Sequence, residues 1–136
     1  MGAALSLTVL AAPQKTTFDK LPRNSQEFVQ RFFAGETIRE VELNNENSWD
    51  KYTVWFDNGN HICFQGGSGD CTEIVLKQGS IPTEVLPTKA ATYLHAHYRN
   101  QEIQAMKQTK EGFRVGLSNG VWIDFDKQGD FIKGNK

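Results

Sequence analysis

Apolar residues recur along the chain with the spacing of a helix, once in each half. In the first half they follow Pro22, which suits a first helical position because it has no N–H to satisfy. The residues of this predicted helix face are Phe28, Val29, Phe32 and Phe33. In the second half the same spacing of three and four follows Pro87. The residues of this second face are Tyr93, Leu94, His97 and Tyr98. The pattern predicts two short helices.

Strands are predicted after each helix, where apolar and polar residues alternate. Asn58-Gly59 and Asn119-Gly120 are two-residue hairpin signals, and each lies between two alternating segments. The predicted strands are 38–43, 52–56, 61–64 and 72–76 in the first half, and 103–107, 113–117, 121–125 and 130–133 in the second half. Residues 78–85, which include Gly79 and Pro82, form the predicted linker.

The two halves match each other, which predicts an internal duplication. Leu21-Pro22 recurs as Leu86-Pro87, and the matched positions are of core type or turn type, as a structural repeat requires. We therefore predict an α+β fold of two tandem helix-plus-four-strand repeats, residues 21–76 and 86–136. The repeats would form one antiparallel sheet with both helices on one face. The predicted core is Phe28, Phe32, Val54, Phe56, Ile62, Phe64, Tyr93, Leu94, Val115, Leu117, Ile123 and Phe125.

An uncharged run occupies residues 3–12 and is too short to span a bilayer. It is typical of the apolar region of a secretory signal that ends in small residues, although the usual preceding basic residues are missing. The alternative is a buried N-terminal strand or helix. Pro13 and polar residues follow directly, which favours the signal. We expect residues 1–12 to be a signal-peptide remnant and residues 13–136 to be a single domain that works outside the cytoplasm.

Length and charge exclude several classes of protein. A chain of 136 residues has the length of one domain. With 15 Lys and Arg residues against 16 Asp and Glu residues, the net charge is −1. A chain without a positive excess is a poor binder of nucleic acid or of an anionic membrane surface. We expect no nucleic-acid partner and no membrane span in the mature chain.

The chain has two cysteines, Cys63 and Cys71, whose spacing fits no C-x-x-C redox or zinc pattern. A turn centred on Gly67 would place Cys63 across from Cys71, close enough for a disulfide bond. An oxidising compartment would permit that bond. Two unpaired thiols are the alternative.

The sequence motifs predict neither catalysis nor a cofactor. His95 and His97 are two residues apart in a predicted helix and therefore point to different faces, so they cannot both bind one ion. Ser68 lies in a Gly-rich turn that fits neither G-x-S-x-G nor a phosphate loop. The acidic turns at 57–60 and 126–130 lack the spacing of a calcium-binding loop. We expect no enzyme activity, no metal site and no cofactor.

The double pattern resembles the PepSY-like, beta-lactamase-inhibitor-like family of small exported proteins from Gram-negative bacteria. The resemblance covers residues 21–132, and a departure lies at 65–71, where a Gly-rich segment replaces the Asp…Gly…aromatic run of 126–131. The residues that carry the resemblance are Leu21-Pro22, Phe28-Val29, Phe32-Phe33, Ile38, Val41, Tyr52, Phe56-Asp57-Asn58-Gly59, Ile62-Cys63-Phe64, Ile81-Pro82, Leu86-Pro87, Tyr93-Leu94, Tyr98, Leu117-Ser118-Asn119-Gly120, Ile123-Asp124-Phe125-Asp126 and Gly129.

The resemblance implies a beta-lactamase-inhibitor-like fold, a periplasmic or cell-surface location and no enzymatic activity. It leads us to expect a protein-binding module, with inhibition of a hydrolase or peptidase as one form of that function. The alternative is a module that binds a small ligand, a glycan or an envelope component. Similarity of fold does not by itself decide between them.

Strand alternation predicts which residues face away from the core. If Phe56 faces the helices, then Trp55 faces the opposite side, and Trp122 does so by the same rule, with His61 and Arg114 nearby. Trp and Arg are enriched among the residues that dominate binding energy at protein interfaces. These four residues are the predicted binding site. The alternative is that the two rings only cover the sheet.

Overall fold

One antiparallel sheet dominates the computed structural model, which describes residues 13–46 and 49–135. The predicted signal segment, residues 1–12, lies outside the described residues. In the described part, each of nine strands pairs with the next one along the chain. The strands are β1 Gln14–Thr16, β2 Ile38–Glu46, β3 Trp49–Phe56, β4 His61–Gln65, β5 Cys71–Val75, β6 Ile103–Gln108, β7 Gly112–Leu117, β8 Trp122–Asp126 and β9 Phe131–Gly134.

Two α-helices pack against this sheet, α1 Arg23–Phe32 before β2 and α2 Thr88–Tyr98 before β6. Each begins directly after a proline, so the missing proline N–H costs no hydrogen bond. On α1, the ring of Phe28 meets the edge of Phe64 at 5.6 Å. On α2, the ring of Tyr93 meets Phe125 at 5.7 Å. Within the described residues, neither helix has the length and apolar character needed to cross a membrane.

A single core joins the helices to the sheet. Most of the residues predicted for it are buried: Val54, Phe56, Ile62, Phe64, Leu94, Val115, Leu117, Ile123 and Phe125. Phe28, Phe32 and Tyr93 are partly buried and pack against its edge. The core side of β3, β4, β7 and β8 is therefore the side that the sequence alternation indicated.

The predicted fold class is wrong. The structure is mostly sheet, and it is a single nine-stranded sheet with two short helices rather than two tandem helix-plus-four-strand repeats with both helices on one face. β1 precedes the first predicted repeat and pairs with β2, where Lys15 lies opposite Glu42. β5 pairs with β6, where Ile74 lies opposite Met106, so the sheet runs without a break through both halves of the chain.

The cause of the error is local. β1 is only three residues long, and its residues, Gln14, Lys15 and Thr16, are all polar. It has no apolar alternation that would mark it as a strand. β1 forms its backbone hydrogen bonds with the outer edge of β2. The pattern of apolar and polar residues does not indicate which segment pairs with that edge.

Candidate functional site

The outer face of the sheet, the face opposite the buried core, carries two rows of side chains that the strand register places side by side. Residues two apart on one strand point to the same face, and residues opposite each other on neighbouring strands are adjacent. The first row, called the trough row, is Trp55, His61, Val75, Ala105, Gly116 and Trp122. The second, called the charged row, is Glu42, Thr53, Cys63, Glu73, Lys107, Arg114 and Asp124.

The trough row has a large ring at each end and small side chains between them. Trp55 on β3 and Trp122 on β8 are five strand positions apart, which is about 24 Å at roughly 4.8 Å per strand. Val75, Ala105 and Gly116 lie between them. Gly116 has no side chain, and a Cβ built there would lie 3.2 Å from the Cβ of Ala105. The middle of the row is therefore lower than its ends.

Contacts on three sides hold the ring of Trp55. Its centroid lies 4.4 Å from that of His61 on β4. The guanidinium of Arg39 lies 5.5 Å above the same ring. The indole Nε1 donates a hydrogen bond of 3.1 Å to Oε1 of Glu42. Trp55 is thus half-buried and held in one orientation while part of its ring still faces solvent.

At the other end of the row, Trp122 lies under the side chain of Arg114. The guanidinium carbon is 3.8 Å from the centre of the indole ring. Arg114 also donates two hydrogen bonds to Asp124, of 2.7 Å and 3.0 Å, in the bidentate geometry that favours Arg–carboxylate pairs. These hydrogen bonds lower the pKa of Asp124, whose residue is only 8% exposed.

The stability contributed by Asp124 is expected to depend on pH. Because its pKa is lower in the folded state, the contribution is present above the ordinary aspartate pKa of 3.8 and is lost as the pH falls through the folded value. Urea unfolding should therefore find Asp124→Asn less stable than the parent at pH 7, with the difference shrinking towards pH 3.

Asp130→Asn is the matched control, because Asp130 makes an exposed ion pair of 3.4 Å with Lys89. Such pairs contribute little to stability. A difference for Asp124→Asn that is equally large at pH 7 and pH 3 would contradict the role given to its ionised form.

The four predicted binding residues lie on the outer face, but the structure does not gather them into one cluster. His61 contacts Trp55, and Arg114 contacts Trp122. The strands of His61 and Arg114 are three positions apart, about 14 Å. The residues that connect the two pairs, among them Val75 and Lys107, come from β5 and β6. The sequence did not identify them because no local sequence pattern shows that β5, at the end of the first half of the chain, pairs with β6, the first strand of the second half.

The predicted register of the cysteines is wrong. Glu73, not Cys71, lies opposite Cys63. A register shift after Cys63 places Phe64 opposite Cys71, which packs against the core. Both cysteines are free thiols. Burial raises the pKa of the Cys71 thiol to about 12, so this thiol stays protonated and is a poor nucleophile for disulfide exchange.

A hollow of about 580 Å³ lies beside α2, away from the outer face. Every polar side chain that lines it is exposed, as Glu84, Thr92 and His95 illustrate. Small-molecule sites instead combine enclosure with a few converging polar groups. The outer face is therefore the better candidate for a functional surface.

Comparison with known proteins gives one family and a set of similar folds. The family model described as "Putative beta-lactamase-inhibitor-like, PepSY-like" matches residues 50–133. A structure from Bacteroides vulgatus, "a putative periplasmic protein from DUF2874 family", is 25% identical with a TM-score of 0.84 and covers 91% of this chain and 97% of that one. No curated protein sequence matches the chain.

Two further structures share the fold at lower identity. A "putative calcium-regulated periplasmic protein" from Bacteroides thetaiotaomicron is 22% identical with a TM-score of 0.85, over 91% of this chain and 97% of that one. A "putative periplasmic protein of unknown function" from Bacteroides vulgatus is 24% identical with a TM-score of 0.83, over 92% of this chain and all of that one. The neighbour at 25% identity confirms the periplasmic location predicted from the sequence.

Proposed function

The chain belongs to the PepSY-like, beta-lactamase-inhibitor-like family, and from this membership we propose that it is a non-enzymatic protein-binding module of the periplasm. Its binding surface is the outer face of the sheet. The observation that carries the proposal is the trough row, in which two half-buried Trp rings flank a stretch of small side chains. Aromatic anchors beside a depression are typical of the centres of protein interfaces.

The size of this surface suits a folded partner. A span of about 24 Å between the rings of Trp55 and Trp122 is comparable to the width of a standard interface, which buries about 800 Å² on each side. Ala105 and Gly116 leave room for a side chain that protrudes from the partner. Because the surface is built on paired strands, its backbone is already ordered, so binding orders no loop and loses little backbone entropy.

The charged row supplies the polar part of the surface. Glu73, Lys107 and Arg114 follow one another across β5, β6 and β7, so both signs of charge lie beside the trough row. Lys107 and Arg114 are exposed. Mixed charges at the edge of an interface select the partner and its orientation more than they add affinity. We infer a partner with complementary mixed charge around a protruding apolar group.

The family description indicates the class of protein to which the partner belongs. We propose that the partner is an exported hydrolase or peptidase and that binding inhibits it. The alternative of a small ligand, glycan or envelope component has weaker support, because the hollow beside α2 is open and its polar lining is exposed. A protein partner needs no enclosure, so the open outer face suits it.

Site-specific photocrosslinking in the periplasm tests the proposal. A photoreactive amino acid replaces either Lys107, exposed in the middle of the outer face, or Thr92, exposed on α2. We expect the Lys107 position to capture one protein that mass spectrometry identifies as a hydrolase or peptidase. The Thr92 position should not capture it.

The purified pair should then re-form, and the activity of the partner should fall as the protein is added in equimolar amount. Failure of the Lys107 position to capture any protein, or equal capture from Thr92, would contradict the proposed surface. Capture of a protein whose activity does not change would contradict inhibition but not binding.

A further inference from the structure

Three side chains with metal-binding atoms lie close together on the outer face, where the trough row and the charged row are adjacent. They are His61, Cys63 and Glu73, and each offers one ligand atom: an imidazole nitrogen, a thiol sulfur and a carboxylate oxygen. These atoms all lie within 4.8 Å of one another. We propose that the three residues form a binding site for a zinc ion. This inference does not depend on the proposed protein partner.

The sheet itself places the three ligands. His61 and Cys63 are two residues apart on β4 and therefore share a face, and Glu73 lies directly opposite Cys63 on β5. The Sγ of Cys63 is 3.8 Å from Oε1 of Glu73. Two ligands come from one strand and the third from its hydrogen-bonded neighbour, so backbone pairing fixes their relative positions before any metal binds.

Neighbouring side chains restrain the ligands further. The ring of His61 packs against Trp55 at 4.4 Å, which limits its rotation. Oγ1 of Thr53 on β3 lies 3.5 Å from the Cys63 sulfur on the side away from Glu73. Among the described residues, no cationic group lies within 4.0 Å of the Glu73 carboxylate. That carboxylate is therefore free to bind a metal.

The spacing of the three atoms is close to that of a zinc site. Zinc binds sulfur at about 2.3 Å and nitrogen or oxygen at about 2.0–2.2 Å. In a tetrahedron these bond lengths place ligand atoms about 3.3–3.8 Å apart. The atoms present lie within 4.8 Å of one another, so the remaining contraction is of the size that a side-chain rotation supplies.

The donor set selects the type of metal. Thiolate and imidazole favour zinc and similar borderline ions, whereas calcium and magnesium require oxygen ligands. On binding, the Cys63 thiol would release its proton to solvent. Three protein ligands leave a fourth position, which a water molecule would take. Burial shields Cys63, which is only 3% exposed, from oxidants.

The sequence predicted no metal site because the ligand spacing fits no zinc motif. Positions 61, 63 and 73 lie on two strands, and they meet because Glu73 lies opposite Cys63 in the pairing of β4 with β5. A disulfide between Cys63 and Cys71 would remove the thiolate, so the zinc site and that disulfide exclude each other. The oxidation state of Cys63 is thus part of the test.

Metal titration of the purified, reduced protein after chelator treatment tests the site. Calorimetry with zinc should find one ion bound per chain, and cobalt should give the absorption band of a thiolate-bound ion. Cys63→Ser should abolish that band and weaken zinc binding by at least about 100-fold. His61→Gln should weaken zinc binding by a similar factor, but it retains the thiolate that gives the band. Cys71→Ser is the matched control and should change neither measurement, because Cys71 packs against the core.

Several results would overturn the proposal. They are the absence of zinc binding to the reduced protein, unchanged affinity in Cys63→Ser, and a cobalt spectrum without the thiolate band. Thiol counting on the reduced, denatured protein is the accompanying control, because two free thiols per chain show that Cys63 is available to bind zinc. If Cys63→Ser does not fold, Glu73→Gln replaces it, because Glu73 is half-exposed and its loss leaves no cavity.

Discussion

Phe125→Ala is expected to lower the free energy of unfolding by about 3–5 kcal/mol, and Phe56→Ala by a similar amount. Both side chains are fully buried in the core. Phe125 stacks on Phe113 at 5.3 Å and meets the edge of Tyr93 on α2, so its loss leaves a cavity between the helix and the sheet. Such a loss is a large part of the 5–15 kcal/mol that typically stabilises a domain.

Urea unfolding measures this effect, and Phe131→Ala is the control. Phe131 is also aromatic, but 47% of it is exposed, and it stacks on Tyr93 at the edge of the core. We expect the control to lose less than about 1 kcal/mol, as most exposed positions do. A loss below about 1 kcal/mol for both Phe56→Ala and Phe125→Ala would show that the core assignment is wrong.

Local patterns were sufficient to predict the helices, most strands and the core side of β3, β4, β7 and β8. Asn58-Gly59 and Asn119-Gly120 define the turns of two hairpins, and a turn of known length sets the register of the strands beside it. Trp55 therefore lies opposite His61, and Gly116 opposite Trp122. Because side chains alternate between the two faces of a strand, assigning one residue of these hairpins to a face assigns all the others. Alternation therefore predicts correctly which side chains face the core.

What the sequence could not show depends on strands that no tight turn connects. β5 and β6 are separated by the linker and α2, and their pairing decides that Glu73 lies opposite Lys107. The shift after Cys63 adds a residue on the β5 side of the ladder, so that Cys63 lies opposite Glu73 rather than Thr72. The pairing of β5 with β6 is non-local and the register shift is irregular, so the hydrophobic periodicity of the sequence predicts neither.

The predicted site was incomplete for the same reason. The four residues predicted from alternation are large or charged, because Trp and Arg are the residue types enriched at protein interfaces. Alternation also placed Gly116 on the outer face, where it leaves a hollow beside the rings. Val75 and Ala105 are small and common, and their importance follows only from lying between the two Trp rings. His61 was predicted as a neighbour of Trp55, whereas its second set of contacts, with Cys63 and Glu73, required the register.

The double variant Trp55→Ala/Trp122→Ala is expected to lose the partner while keeping its fold. Each ring is half-buried on the outer face rather than in the core, so its removal opens no internal cavity. Truncation of an aromatic anchor at an interface costs about 2 kcal/mol or more, and two such anchors together should weaken binding by at least about 100-fold. Circular dichroism and urea unfolding would confirm that the variant remains folded.

The dissociation constant of the purified partner, measured for the parent protein, this double variant and Phe131→Ala, tests the outer face as the binding surface most directly. The control removes an aromatic ring that is also accessible but packs against Tyr93 on α2. We predict that the double variant binds at least about 100-fold more weakly than the parent and that Phe131→Ala binds like the parent. Parent-like affinity in the folded double variant would contradict the assignment of the outer face as the binding surface.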